Sequence, residues 1–109
     1  MLFPTQKTIC VDIDNTLLHK NKLNAELIAW LKEQKKNDYD LILWSAQGRQ
    51  YAEGVAFKYN LKSLFNAIIG KPGFIIDDLG WSWTRHTRWV EHFNLKAKNT
   101  LSEQQQNNV

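Results

Sequence analysis

Short apolar runs separated by polar turns recur along most of the chain. Residues 8–13 (TICVDI), 40–44 (DLILW), 67–69 (AII) and 74–76 (FII) are four such runs, and turn residues separate the last two. Runs that are apolar throughout are typical of strands in a parallel sheet that is covered on both faces. The pattern therefore predicts four buried strands.

Three stretches between or after these runs have the spacing of amphipathic helices. The first follows Asn24, a residue type that caps helices, the second follows the polar turn 45–48, and the third runs from about 82 to 93. Their predicted apolar faces are Leu27, Ile28 and Leu31; Ala52, Val55, Ala56 and Tyr59; and His86, Trp89, Val90 and Phe93. Strands that alternate with helices predict an α/β fold, a single Rossmann-like three-layer α/β/α domain with a short parallel sheet.

Composition narrows the class of protein. The 109 residues suffice for one domain, which we place at residues 1–95, and the polar stretch 96–109 is expected to be a flexible tail. The sequence shows neither a membrane-spanning apolar stretch nor a signal peptide, and Cys10 is the single cysteine, predicted to be a buried, inert thiol. These features favour a cytoplasmic protein. The net charge of +3 suits anionic substrates without indicating nucleic-acid binding.

Polar residues follow each of the four predicted strands, at the edge of the sheet where α/β proteins bind their ligands. They are Asp12 and Asp14, Ser45, Lys71, and Asp77 with Asp78. Asp12 and Asp14 share a site only if the chain bends between them, because alternate residues of a strand point to opposite faces. Asn15 and Thr16 supply such a bend, and two acids at one centre can act as nucleophile and proton donor.

Each of these residues also has an ordinary structural interpretation. Ser45 can start a helix, Lys71 can be a solvated surface lysine, and Asp77 with Asp78 can form a turn. Gathered at one edge, however, so many carboxylates need a cation, and their oxygen atoms suit Mg²⁺. A hydroxyl and an ammonium beside that ion are what a transferring phosphoryl group requires.

The order of these residues resembles the haloacid dehalogenase (HAD) superfamily. Its four motifs correspond to D-x-D-x-T at 12–16, Ser45, Lys71-Pro72 and Asp77-Asp78, so that the resemblance covers roughly residues 8–80. The first and last motifs are the specific ones. The resemblance implies an Mg²⁺-dependent phosphatase, because a second acid two residues after the nucleophile marks the phosphatases of this superfamily.

Carried over residue by residue, the resemblance implies a role for each motif position. Asp12 would be the nucleophile that becomes an aspartyl phosphate, Asp14 the general acid and base, and Thr16 a residue that orients the loop. Ser45 and Lys71 would bind phosphate. The implied Mg²⁺ ligands are Asp12, the backbone carbonyl of Asp14, Asp77, and Asp78 acting directly or through a water.

The spacing between motifs bears on the substrate. Neither the stretch of about nine residues before the first helix nor the 25 or so between Ser45 and Lys71 can hold a cap domain, so we expect an open site. A phosphorylated substrate, either a small ester or a nucleic-acid end, would enter it, and a homodimer is one way to shield it. Gln47, Arg49 and Trp81 are candidate substrate contacts.

Two questions stay open at this point. The segment 81–93, which is rich in Trp and Arg, is either a substrate platform or a final helix packed on the sheet. The alternatives to a phosphatase are a receiver-like module that holds an aspartyl phosphate and a catalytically silent domain. Receiver domains carry their phosphoacceptor on a middle strand, whereas the D-x-D-x-T motif comes first here.

Overall fold

The computed structural model describes residues 6–91. These residues divide into a unit that spans Lys7–Gly73 and a second part that consists of Gln6 and the segment 74–91. Predictions for residues 1–5 and for residues 92–109, including the tail, lie outside the described residues.

The unit Lys7–Gly73 contains a short parallel sheet of three strands. Its elements in chain order are β1 (Thr8–Val11), β2 (Leu18–His19), β3 (Lys22–Leu23), α1 (Ala25–Lys36), β4 (Asp40–Ser45), α2 (Arg49–Lys58) and β5 (Ala67–Gly70). The sheet order is β1-β4-β5, and β4 pairs in parallel with both neighbours, while β2 and β3 form a small antiparallel hairpin. The predicted α/β class and the parallel sheet are confirmed.

Both helices of this unit follow the predicted pattern. Asn24 is the N-cap of α1, and its side-chain oxygen accepts a hydrogen bond of 3.1 Å from the Leu27 amide, one of the amides that lack a partner within the helix. The buried positions are Leu27 and Leu31 in α1, and Ala52, Val55 and Ala56 in α2. These positions belong to the faces that the sequence predicts.

Burial alternates along the central strand, although its residues 41–44 are all apolar. Leu41 and Leu43 are 0% exposed, whereas Ile42 and Trp44 between and after them are only partly buried. Cys10 lies opposite Ile42 in the register of β1 with β4, and it is exposed. The prediction of a buried thiol is therefore wrong, because Cys10 belongs to the less buried face of the sheet.

The predicted fourth strand is absent from the segment 74–91. Phe74 and Ile76 are 93% and 99% exposed, and residues 74–76 adopt no strand. An apolar run becomes a strand only when another strand supplies its hydrogen-bond partners.

The helix predicted from about 82 to 93 is replaced, in its described part, by a 3₁₀ helix over Gly80–His86. Local side-chain bonds accompany the tighter turn: the Ser82 hydroxyl donates to the Leu79 carbonyl at 2.6 Å and the Thr84 hydroxyl to the Trp81 carbonyl at 2.7 Å. Such bonds compete with a regular α-helix. Among residues 6–91, no helix is long and apolar enough to cross a membrane.

Candidate functional site

The loop after β1 bends as the sequence predicts. Asn15 adopts a left-handed backbone conformation with φ of 62°, and its amide donates to the Leu18 carbonyl at 2.8 Å. The Ile13 carbonyl accepts from the amides of Thr16 and Leu18, and the side chains of Ile13 and Leu17 are completely buried. Two buried anchors therefore hold a tight turn that carries Asp12 and Asp14, and the main chain of Thr16 is part of it.

Asp12 lies against Lys71. The Lys71 Nζ is 3.3 Å from Asp12 Oδ1, and the two side chains are 39% and 33% exposed respectively. The Lys71 amide also donates to the Ser45 carbonyl at 2.9 Å, which fixes the main chain of Lys71 beside the end of β4. The structure thus brings together a carboxylate and an ammonium that are far apart in sequence, and leaves both accessible to solvent.

Asp14 is exposed, yet both of its carboxylate oxygens accept hydrogen bonds. Gln47 Nε2 donates to Oδ2 at 2.6 Å, and the Tyr51 hydroxyl donates to Oδ1 at 2.7 Å. The pKa of Tyr51 is raised, chiefly because its hydroxyl donates to the Asp14 carboxylate, and partial burial and the negative charges of Asp14 and Asp12 add to this. The Tyr51 hydroxyl is therefore close enough to Asp12 and Asp14 for the negative charge of both to raise its pKa.

Ser45 organises the turn between β4 and α2. Its side chain is almost completely buried, at 2% exposure, and its Oγ accepts a hydrogen bond of 3.0 Å from the Gln47 amide. The Ser45 carbonyl accepts from the amides of Gly48 and Lys71. Ser45 thus joins the turn before α2 to the segment after β5. Its predicted contact with phosphate stays a prediction.

Two glycines allow the start of α2 to approach the end of β5. A Cβ atom on Gly70 would lie 3.3 Å from both the Gly48 Cα and the Arg49 amide nitrogen, a tighter approach than side chains normally make. Gly48 has φ of 103° and ψ of 170°, a conformation that is essentially restricted to glycine. Because of these glycines, the N-terminal end of α2 lies near Lys71, and helix N-termini favour bound anions.

The other predicted site residues are exposed, and Arg49 and Asp77 form contacts with residues only a few positions away in sequence. Arg49 is exposed and forms an ion pair with Glu53 at 3.6 Å, one helical turn away. The Asp77 carboxylate accepts from the Leu79 amide at 2.8 Å, and Asp78 and Trp81 are exposed. Asp77, Asp78 and Trp81 belong to the segment 74–91, whereas Asp12, Asp14, Ser45 and Lys71 belong to the unit Lys7–Gly73. Within residues 6–91, His, Cys, Asp and Glu side chains form no group of three or more suited to a metal ion.

The sequence does not single out Tyr51. Gln47 contacts Asp14, and its predicted contact with substrate stays a prediction. Tyr51 lies beside the apolar face of α2 that begins at Ala52, so helical periodicity did not distinguish it from a surface residue. The helical spacing of four residues does not relate Tyr51 to Gln47 either, because Gln47 precedes α2, so the sequence carries no signal for this contact.

Comparison with known proteins gives no match: neither a family model, nor a curated protein, nor a solved structure is significantly similar to the chain.

Proposed function

We propose that the chain is an Mg²⁺-dependent phosphomonoester hydrolase of the HAD type, acting through an aspartyl phosphate on Asp12. The observation that carries this proposal is the pairing of Asp12 with Lys71 beside a second, well-oriented acid, Asp14. All three residues lie in one unit, just beyond the carboxyl ends of parallel strands. Sites for phosphorylated ligands commonly occupy this position in α/β folds.

The side chains suit a two-step displacement. In the first step an Asp12 oxygen bonds to phosphorus while the bond from phosphorus to the leaving-group oxygen breaks, and Asp14 gives its proton to that oxygen. In the second step Asp14 takes a proton from a water whose oxygen bonds to phosphorus, and the Asp12–phosphate bond breaks. Lys71 places a positive charge beside Asp12 throughout, where it offsets the charge of the phosphoryl group.

The proposal assigns Mg²⁺ to this site. Mg²⁺ takes oxygen ligands, usually one or two carboxylates together with waters and substrate phosphate. Asp12 and the backbone carbonyl of Asp14 would hold it. Asp77 and Asp78, the further ligands implied by the resemblance, belong to the segment 74–91, and their part in the site stays a prediction. When bound, the ion neutralises negative charge on the phosphoryl group. If Asp77 is a ligand, Asp77→Asn will raise the Mg²⁺ concentration needed for half-maximal turnover.

The proposal includes a Rossmann-like three-layer arrangement without a cap domain. Between Asp14 and α1 the chain forms only the short β2–β3 hairpin, and between Ser45 and Lys71 it forms α2 and β5. The exposure of Asp12, Asp14 and Lys71 supports an open site for a small phosphate ester or a nucleic-acid end. A cytoplasmic location and a homodimer that shields the site complete the proposal.

The test is hydrolysis of nitrophenyl phosphate by the native chain and by Asp12→Asn, with and without Mg²⁺. We expect Mg²⁺-dependent turnover in the native chain and a loss of about a thousandfold or more in the variant, because the nucleophile is removed. Asp40→Asn is the matched control: this exposed acid lies at the opposite end of β4, and its neutralisation should leave turnover unchanged.

Three outcomes would contradict the proposal. Full activity in Asp12→Asn would remove the nucleophile from the mechanism, and turnover that persists in excess chelator would remove the metal. If the native chain binds beryllium fluoride at Asp12 but hydrolyses no ester, the receiver-like module is the better description.

A further inference from the structure

The carboxylate of Asp14 is held from two sides. The Tyr51 hydroxyl donates to one oxygen at 2.7 Å, and the Gln47 side-chain amide donates to the other at 2.6 Å. An exposed aspartate with neither partner would sample several rotamers. Two donors on separate oxygens restrict both the position of the carboxylate and the rotation of its plane.

The two donors are themselves held by the scaffold. The Gln47 amide donates to the buried Ser45 Oγ, which fixes the main chain of Gln47. Tyr51 belongs to α2 and is partly buried, next to the completely buried Ala52. A catalytic side chain keeps a productive geometry when its supporting donors lie on rigid elements in this way.

We propose that Tyr51, with Gln47 as the second donor, is a positioning residue that orients Asp14 toward the leaving-group oxygen. This inference rests on the proposed function, in which Asp14 donates a proton in the first step. A general acid must lie within hydrogen-bond reach of the atom that it protonates. In this role Tyr51 keeps its own proton throughout, so the proton balance of the reaction is unchanged.

The leaving group distinguishes positioning from general structural support. Nitrophenolate departs readily without a proton, whereas the alkoxide of an alkyl phosphate needs protonation as the bond breaks. Misorientation of the acid should therefore slow only the second class of substrate. The probe is kcat/KM, because it reports the steps up to formation of the aspartyl phosphate, provided that this formation is effectively irreversible.

The experiment compares Tyr51→Phe with the native chain on nitrophenyl phosphate and on a simple alkyl phosphate. We expect kcat/KM to fall about tenfold on the alkyl ester, a fraction of the 10²–10⁴ that general acid catalysis supplies, and less than about twofold on the aryl ester. Gln47→Leu should show the same selective loss. Tyr59→Phe is the matched control, since Tyr59 follows α2 and its hydroxyl donates at 3.4 Å to the Asn21 carbonyl, away from Asp14.

A double variant completes the test. In an Asp14→Asn background, Tyr51→Phe should cause no further selective loss on the alkyl ester, because the acid that Tyr51 orients is gone. An equal loss on both esters, or an unchanged ratio of the two kcat/KM values, would overturn the positioning role while leaving the phosphatase proposal intact. If the native chain hydrolyses neither ester, the phosphatase proposal fails and the positioning role fails with it.

Discussion

Two short apolar runs in this chain have nearly the same composition and different structures. Residues 67–69 (AII) belong to β5, whereas residues 74–76 (FII), only a few positions later, form no strand. Phe74 and Ile76 are almost fully exposed, while Ile68 is partly buried. Apolar character is therefore insufficient to make a strand, and the difference between the runs lies in what each one pairs with.

The first run is paired with β4 by hydrogen bonds that start one residue before β5 begins. The Asn66 amide donates to the Leu41 carbonyl at 2.7 Å, and the Asn66 side-chain oxygen accepts from the Leu41 amide at 2.8 Å. From there Ala67, Ile68 and Ile69 continue in register with β4. The second run follows Pro72 and Gly73, and proline cannot donate a ladder hydrogen bond, so the break after β5 is encoded locally.

The largest expected difference between the two runs is in amide hydrogen exchange. Amides of β5 that bond to β4 exchange only when that pairing opens, whereas the amides of residues 74–76 should exchange at nearly the rate of an unstructured peptide. We expect protection factors that differ by about a thousandfold, measured by mass spectrometry or NMR. Equal protection of the two runs would show that residues 74–76 have hydrogen-bond partners in solution, and it would overturn the comparison.

Core truncation should give the next largest effect. Leu43 is completely buried in the central strand, so Leu43→Ala should lower the free energy of unfolding by about 2–5 kcal/mol. Ile76→Ala removes equally apolar atoms from an exposed side chain, and its effect should stay within about 0.5 kcal/mol. Urea unfolding followed by circular dichroism measures both. A cost for Ile76→Ala approaching that of Leu43→Ala would mean that residues 74–76 are packed in the folded protein.

These contrasts show which features of the fold can be predicted from sequence. The Asn24 cap, the buried faces of α1 and α2 and the first strands follow from local chemistry and period, and the structure confirms them. The exposure of Cys10 and the absent fourth strand could not be predicted in this way, because they depend on which elements pack together. Short apolar runs satisfy the criteria for a strand whether or not they find a partner.

The candidate site also contains some features that the sequence predicts and others that depend on how the elements pack. The bend at Asn15 and the proximity of Asp12 to Lys71 follow from turn chemistry and from the expected strand topology. The contact of Tyr51 with Asp14 depends on the rotation of α2 relative to the loop after β1, which a single sequence does not specify. Supporting residues of this kind are found only when the elements are seen together.

The smallest expected effect concerns two glycines of the α2 region. Gly48 precedes α2 with φ of 103°, where a side chain is strained even though a Cβ atom would meet nothing within 4 Å. Gly48→Ala should therefore lower the free energy of unfolding by about 1–3 kcal/mol through backbone strain alone.

Gly54 is the matched control, because it lies inside α2 in ordinary helical conformation with open space around its Cα. Gly54→Ala should raise stability by about 0.5–1 kcal/mol, since alanine is the better helix former and has fewer unfolded conformations to lose. Opposite signs for the same chemical change would show that the cost at residue 48 comes from the conformation of the turn that holds Ser45 and Gln47. If Gly48→Ala does not change stability, the turn before α2 can adopt another conformation, and the inference that it rigidly supports Gln47 and Asp14 is wrong.

The kinetics of Gly48→Ala on the alkyl and aryl esters link turn stability to the proposed positioning of Asp14. A variant whose turn is displaced should show the same selective loss on the alkyl ester that we expect for Tyr51→Phe.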